Sequence, residues 1–148
     1  PANTFVASFI CSPPMNFIEG KLQMGRSEEL EFHTTRFALE VPPGKAKELK
    51  EKGFVDRVVT LGIRPENISV DPIMFEAFPR ARINGVHKFS ELMGADRFLH
   101  VDISHNIDLV VRVSPRHHYN DDEKLTVAVD MSKALFFHRD TGERLIDS

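Results

Sequence analysis

The sequence predicts a mainly β fold, a barrel or sandwich of seven or more short strands, and three observations predict it. Apolar residues alternate with polar ones along most of the chain, which is the period of a half-buried strand. Turn signals built from Gly, Pro, Asn and Asp recur between those runs. A helical pattern appears in only two short stretches, one at the N-terminus and one after Pro43.

Residues 3–10 predict a short N-terminal helix, with Asn3 as the N-cap and Phe5, Val6, Phe9 and Ile10 on one stripe. Pro13 and Pro14 end it, since neither can donate a backbone hydrogen bond. From Met15 the period is two: Ile18, Gly20, Leu22 and Met24 share one face, and Glu19, Lys21 and Gln23 share the other. After a turn at Gly25-Arg-Ser, the residues Leu30 and Phe32, then Phe37, Leu39 and Val41, predict a hairpin. Pro43 opens a brief helix to about Lys52, with Gly53 just past its end. Ala46 and Leu49 alone are apolar in its middle, so a solvated surface helix is predicted.

Val59, Leu61 and Ile63 begin the next strand, which stops at Arg64-Pro65. In the stretch from Arg80 to Leu92, Asn84-Gly85 fits a hairpin turn or a bulge. Further strands follow at Leu99 to Ile103, Leu109 to Val113 and Leu125 to Val129. Ala134, Phe136 and His138 close the set before the turn Asp140-Thr-Gly142.

At 148 residues the chain suits one domain with a core of its own. Its 41% hydrophobic and 28% charged residues are ordinary for a globular protein. Apolar runs are too short to span a bilayer, and no basic stretch leads into an apolar one as in a signal peptide. A first residue of Pro rather than Met fits a fragment of a longer protein. Cys11, the single cysteine, forbids an internal disulfide and suits a reducing compartment. The net charge of −3 argues against broad contact with phosphate backbones or anionic lipid.

Catalytic signatures are missing. A P-loop needs G-x-x-x-x-G-K-[ST], whose backbone N–H groups and Lys cradle phosphates. The Gly44-Lys45 pair is followed by Ala46, and Leu39 stands where the first Gly belongs. No two Gly residues have G-x-G spacing, and no G-x-S-x-G elbow occurs. Seven histidines invite a metal reading, but the adjacent His117 and His118 point to opposite sides of an extended chain. His100 and His105 sit five residues apart across a strand and a turn, and the loop from Arg116 to Lys124 mixes cations with anions and reads as solvated, so no metal site is assigned. Nucleic-acid binders of the β-barrel type use aromatic platforms along a basic groove. The twelve Phe residues here fall mostly on apolar strand faces, so nucleic acid is not an expected partner.

Four motifs carry a family resemblance: the run from Ala2 to Ile10 into Ser12-Pro-Pro-Met-Asn-Phe17, Leu61-Gly-Ile-Arg-Pro-Glu66, Glu91-Leu-Met-Gly-Ala-Asp96 with Leu99-His-Val101, and Asp140-Thr-Gly-Glu-Arg-Leu145. In this order they resemble the C-terminal half of ATP-binding subunits of sugar and glycerol-phosphate ABC importers, the maltose-importer type. The resemblance implies that residues 1–12 are the end of an ATPase domain and linker, and that 13–148 are an oligonucleotide-binding-type (OB-type, TOBE) barrel. It implies a regulatory and dimerisation domain without its motor, inactive as an enzyme and free of cofactor, within a subunit that uses ATP and Mg. The implied partners are a second copy, the ATPase domain, the membrane subunits and a regulatory protein. The implied location is the cytoplasmic face of the membrane.

The resemblance makes the ATPase domain the cover for Phe5, Val6, Phe9 and Ile10. Arg64, Pro65 and Glu66 match the family's accessory-domain motif. Pro65 fixes φ and forces Arg64 to be extended, so Arg64 and Glu66 flank a rigid corner with a folding or interface role. The alternative is a ligand-sensing barrel for an oxyanion or sugar, with Arg64, Arg80, Arg82 and Arg112 supplying charge.

Overall fold

The computed structural model describes residues 14–104 and 107–148, so the predicted N-terminal helix, Cys11 and His105 lie outside the described residues. The segment expected to be one barrel forms two compact units. The first unit runs to Ile63 and resumes at Met131–Ser148, and the second is the intervening Arg64–Asp130.

The first unit holds β1 (Asn16–Met24), β2 (Leu30–His33), β3 (Ala38–Glu40), a helix α1 (Pro43–Glu51), β4 (Val58–Ile63) and, last along the chain, β10 (Leu135–His138). Its sheet has the order β10-β4-β1-β2-β3, with every pair antiparallel. The alternation works as predicted at Ile18, Gly20 and Leu22, which are buried, while Met24 at the strand's end is 40% exposed. The chain turns away there through Gly25 to Glu29 and leaves nothing to cover it. Leu22, Leu30, Phe32, Leu39, Leu61 and Phe136 form the core, with Phe32 and Phe136 ring centroids 6.4 Å apart. β10 is buried on both sides, because Phe137 packs with Met15 and edge-on to Phe17 in a second cluster. Pro43 begins α1 and Gly53, at φ 79°, lies just past it, as predicted. The helix is not solvated all round: Ala46 and Leu49 are buried, and Lys45 is too.

The second unit holds a 3-10 turn (Pro65–Asn67), β5 (Ile68–Ser69), α2 (Pro72–Ala77), β6 (Arg82–Met93), β7 (Asp96–Ser104), β8 (Ile107–Val113) and β9 (Lys124–Val129). The sheet order is β5-β9-β6-β7-β8, and β8 also packs on β5 and the 3-10 turn, so the sheet curls toward closure. Ile83, Leu99, Val101, Leu109, Val111 and Val127 line its interior. The fold class predicted from periodicity is therefore correct. Two local expectations are corrected. The described residues contain a second short helix, α2, started by Asp71 whose carboxylate accepts from Ile73 N at 3.1 Å. Asn84-Gly85 is neither turn nor bulge, because β6 runs straight through it. A Cβ at Gly85 would lie 2.5 Å from Val101 Cγ1, so glycine serves the close approach of β7. The irregularity falls two residues later, between His87 and Phe89.

His87 fixes that irregularity. Its ring is 2% exposed, with Nδ1 2.9 Å from the Asn120 carbonyl oxygen and Nε2 2.7 Å from Ser90 Oγ. A carbonyl only accepts, so Nδ1 carries the proton and Nε2 accepts from the Ser90 hydroxyl. His87 N donates to Glu123 O and its carbonyl accepts from Asp122 N, each at 2.8 Å. His87 thus holds the β8–β9 loop to β6 through both its ring and its backbone.

Substitutions at two kinds of position test this packing. Gly20→Ala would drive a Cβ into the Phe32 ring and to 2.8 Å from the His33 carbonyl oxygen, whereas Gly44 in α1 has nothing within 4 Å of that point. Gly20→Ala should cost about 1–3 kcal/mol in denaturant unfolding, and Gly44→Ala should add about 0.4–1 kcal/mol. His87→Leu orphans the Asn120 carbonyl and the Ser90 hydroxyl, and should cost about 1–3 kcal/mol. Hydrogen exchange should then rise first in the amides of Asp122 and Glu123, ahead of the sheet interior.

Candidate functional site

Arg64, Pro65 and Glu66 form a corner of defined geometry. Arg64 is extended at φ −78° and ψ 149°, as a residue before proline must be. Pro65 is buried and opens the 3-10 turn, in which Asn67 N donates to Arg64 O at 2.9 Å and Ile68 N donates to Pro65 O. Asp130 N donates to Asn67 O at 2.9 Å, so the strand that returns from the second unit is tied to the same turn. Arg64 is half-buried and Glu66 exposed, and their side chains form no ion pair with each other among the described residues. The corner is thus made by the backbone. Phe5, Val6, Phe9 and Ile10 lie outside the described residues.

The motif Glu91-Leu-Met-Gly-Ala-Asp96 is the end of the β6–β7 hairpin. Met93 pairs with Asp96, and Gly94 takes φ 66° in the two-residue loop between them. This hairpin end carries a concentration of exposed apolar surface that sequence periodicity does not indicate: Phe89 is 51% exposed, Leu92 62% and Met93 46%. Phe89 stacks on His100, with ring centroids 4.1 Å apart and planes 12° from parallel. His100 Nε2 lies 2.7 Å from Glu91 Oε1. A further exposed apolar residue, Ile73, stands on α2, which buries none of its side chains.

Charged groups near the hairpin are solvated. Lys88 Nζ meets Asp122 Oδ1 at 2.7 Å; the bond to Lys88 holds the Asp122 carboxyl below its usual range, and the bond to Asp122 raises Lys88. Burial, and then the charge of Glu123, push the Tyr119 phenol up. His117 and His118 lie in the β8–β9 loop, and no group of three or more metal-ligating side chains occurs among the described residues. The four arginines considered for an oxyanion are placed differently from one another: Arg82 sits 6.0 Å from the Phe75 ring, Arg112 is exposed on β8, and Arg64 and Arg80 flank the turn and α2. In the first unit, a groove of about 400 Å³ has Leu30, Val41, Pro43 and Ala46 along its apolar lining and charged residues of both signs around it. No helix among the described residues is long and apolar enough to cross a membrane.

Comparison with known proteins gives this geometry a family. The model of the MalK OB fold domain matches residues 12–68, and that of the TOBE domain matches residues 61–137. They overlap at the corner, where the first unit gives way to the second. The oligosaccharides import ATP-binding protein MsmX of Bacillus subtilis is 38% identical over 145 residues, 98% of this chain and 38% of the relative. The multiple sugar-binding transport ATP-binding protein MsmK of Streptococcus mutans is 33% identical over 141 residues, 95% of this chain and 36% of the relative. The chain thus spans little more than a third of the length of these relatives. A solved structure of the cytoplasmic molybdate-binding protein ModG superposes with a TM-score of 0.61 over 82% of this chain and 94% of its own, at 12% identity, which is a likeness of fold. The chain belongs to the TOBE domain family, in the form joined to a MalK OB fold that ATP-binding proteins of sugar ABC importers carry.

Proposed function

We propose that this chain is the regulatory and dimerisation domain of the ATP-binding subunit of a carbohydrate importer, one that takes up a sugar, oligosaccharide or glycerol phosphate. The observation that carries the proposal is the match of both units, end to end, to relatives named as import ATP-binding proteins, in a chain that has no P-loop of its own. In this reading the 148 residues hold no cofactor and catalyse nothing. ATP and Mg act in an adjoining motor domain, and the subunit lies on the cytoplasmic face beneath its membrane partners. Residues 1–12 are the end of that motor and its linker, and Phe5, Val6, Phe9 and Ile10 pack on it. Leu92 and Met93 on the hairpin end and Ile73 on α2 supply exposed apolar surface for a second copy or a regulatory protein. Arg64, Pro65 and Glu66 keep the two sheets continuous in one chain and belong to the interface only through that corner. The oxyanion alternative rests on a likeness of fold and on arginines held on separate elements, so it gains no site.

Two measurements test the proposal. Titration with Mg-ATP should give no saturable heat, and a micromolar dissociation constant would reveal a nucleotide site that the reading denies. Sedimentation velocity over a concentration series should give a weak monomer–dimer equilibrium. Leu92→Ser and Ile73→Ser should shift it toward monomer with the fold intact, since both side chains are exposed. A sedimentation coefficient independent of concentration would remove dimerisation as a property of this domain alone.

A further inference from the structure

Strand register sets three rows of side chains on the outer face of the second sheet. Leu99, Val101 and Ile103 of β7 point into the core, so Phe98, His100 and Asp102 point outward. Cross-strand partners complete the rows: Glu91–Phe98–Arg112, Phe89–His100–Val110 and Val86–Asp102–Asp108, the last continued onto β9 by Lys124 opposite Val86. Phe89 joins the middle row only because Lys88 is an extra residue in β6; without it Phe89 would share the inner face with Ile83 and His87. Its ring stacks on His100 at 4.1 Å and stands half in solvent. Phe98 is 3% exposed, whereas Glu91 and Arg112 on either side of it are exposed, so those two charged groups form the surface there.

Charge alternates over this face in quadrants. The first row is negative on β6 at Glu91 and positive on β8 at Arg112. The third is positive on β9 at Lys124 and negative on β7 and β8 at Asp102 and Asp108. Lys88, beside Phe89, adds a cation on the Lys124 side and is held by Asp122 at 2.7 Å. Asp102 and Asp108 are direct cross-strand partners, like charges that oppose pairing within one copy. Arg112 and Lys124 make no ion pair among the described residues. Such a pattern is complementary to itself. Turned over about a line along the middle row, the first row of one copy lies on the third row of another. Arg112 then comes over Asp108, with Asp102 next to it, and Glu91 comes over Val86, with Lys124 and Lys88 beside it. The middle row, which contains no carboxylate, lysine or arginine, comes over itself, Phe89 on Phe89. A turn about the strand direction would instead set Asp102 on its own copy, where like charges meet.

We propose that the outer face of β6, β7 and β8 is a contact between two copies of this chain, related by a two-fold axis along the Phe89–His100–Val110 row. The assignment rests on the dimerisation reading above and gives it a face and an axis. Two sheets packed face to face lie about 10 Å apart with their strands nearly aligned, which brings one Phe89 ring to the other at the axis. The arginine and carboxylate contacts then lie on both sides of it, each made twice, as a two-fold contact requires. Arg112 of each copy supplies the cation that the Asp102–Asp108 pair lacks on its own strands.

The test is sedimentation velocity of the 148-residue chain and of two charge reversals, alone and mixed. Arg112→Asp and Asp108→Arg each replace two attractions per pair by two repulsions, and each should weaken self-association by about tenfold or more. Both positions are exposed, so the thermal midpoint should be kept. Mixed one to one, the two variants should associate as tightly as the unaltered chain, because in the mixed pair each position 112 meets an opposite charge at position 108. Phe89→Ser, which removes the ring at the axis, should weaken the pair by about tenfold as well. Variants that stay folded, fail alone and fail together would overturn the two-fold pairing, as would an unchanged Phe89→Ser pair. A dimer that survives both charge reversals would overturn this face and leave the dimerisation reading standing. An unaltered chain that stays monomeric at every concentration would overturn both.

Discussion

A proline cannot donate a backbone hydrogen bond, and it forces the residue before it to be extended. Pro65 imposes both conditions where β4 ends, and the two sheets depend on the result. The ladders that β4 makes with β1 and β10 run as far as Ile63 and Gly62, and there the chain leaves the first sheet. Three residues in a 3-10 turn bring Ile68 opposite Val129 in the second sheet. The return path uses the same turn, through the bond from Asp130 N to Asn67 O, before the chain re-enters the first unit at Met131. One corner therefore sets where the chain departs and where it comes back. The overlap of the two family models at residues 61–68 falls on this corner.

Period-two alternation, turn residues and a helix bracketed by Pro43 and Gly53 are local signals, and they are legible in the sequence. From Ile18 to Leu22 in β1 and from Leu109 to Val113 in β8, side chains are buried or more exposed according to their parity, so the sequence alone reports burial there. The features that are not legible need a partner to define them. Gly85 looks like a turn residue because it follows Asn84, but its reason is Val101, which lies sixteen residues on along the chain and meets it only across the sheet. Helix α2 has a readable start in Asp71-Pro72, yet it buries none of its side chains, so no apolar stripe marks it. At the corner, the Arg-Pro order is enough to give the backbone of Arg64. The pairing of Arg64 with Glu66 that their spacing allows does not form, because Pro65 lies between them at the start of a tight turn and only Arg64 is partly buried.

Phenylalanine shows the same limit most sharply. Phe32, Phe98, Phe136 and Phe137 are core residues, as abundance on apolar strand faces suggests. Phe89 is not, although in sequence it continues the parity of the buried Ile83 and His87. The difference is one inserted residue, Lys88, which slips the pairing so that His87 opposes Val101 and Phe89 opposes His100. A bulge of this kind leaves no trace in composition. It becomes visible only through the contacts that hold it, namely the His87 ring between Asn120 and Ser90, and the backbone bonds of His87 to Asp122 and Glu123.

The bulge also couples the interior to the surface. His87 is buried because its two ring nitrogens find partners there, and those partners lie in the β8–β9 loop and on β6 itself. Holding the loop in place puts Asp122 within 2.7 Å of Lys88, the residue that the bulge expels. The expelled lysine, the outward Phe89 and the carboxylate of Glu91 then occupy the outer face as consequences of one interior histidine. Returning Phe89 to the inner face by removing the extra residue would carry Glu91 inward too, where a carboxylate has no place in an apolar sheet interior without a partner. The motif from Glu91 to Asp96 thus fits its position only when the bulge precedes it.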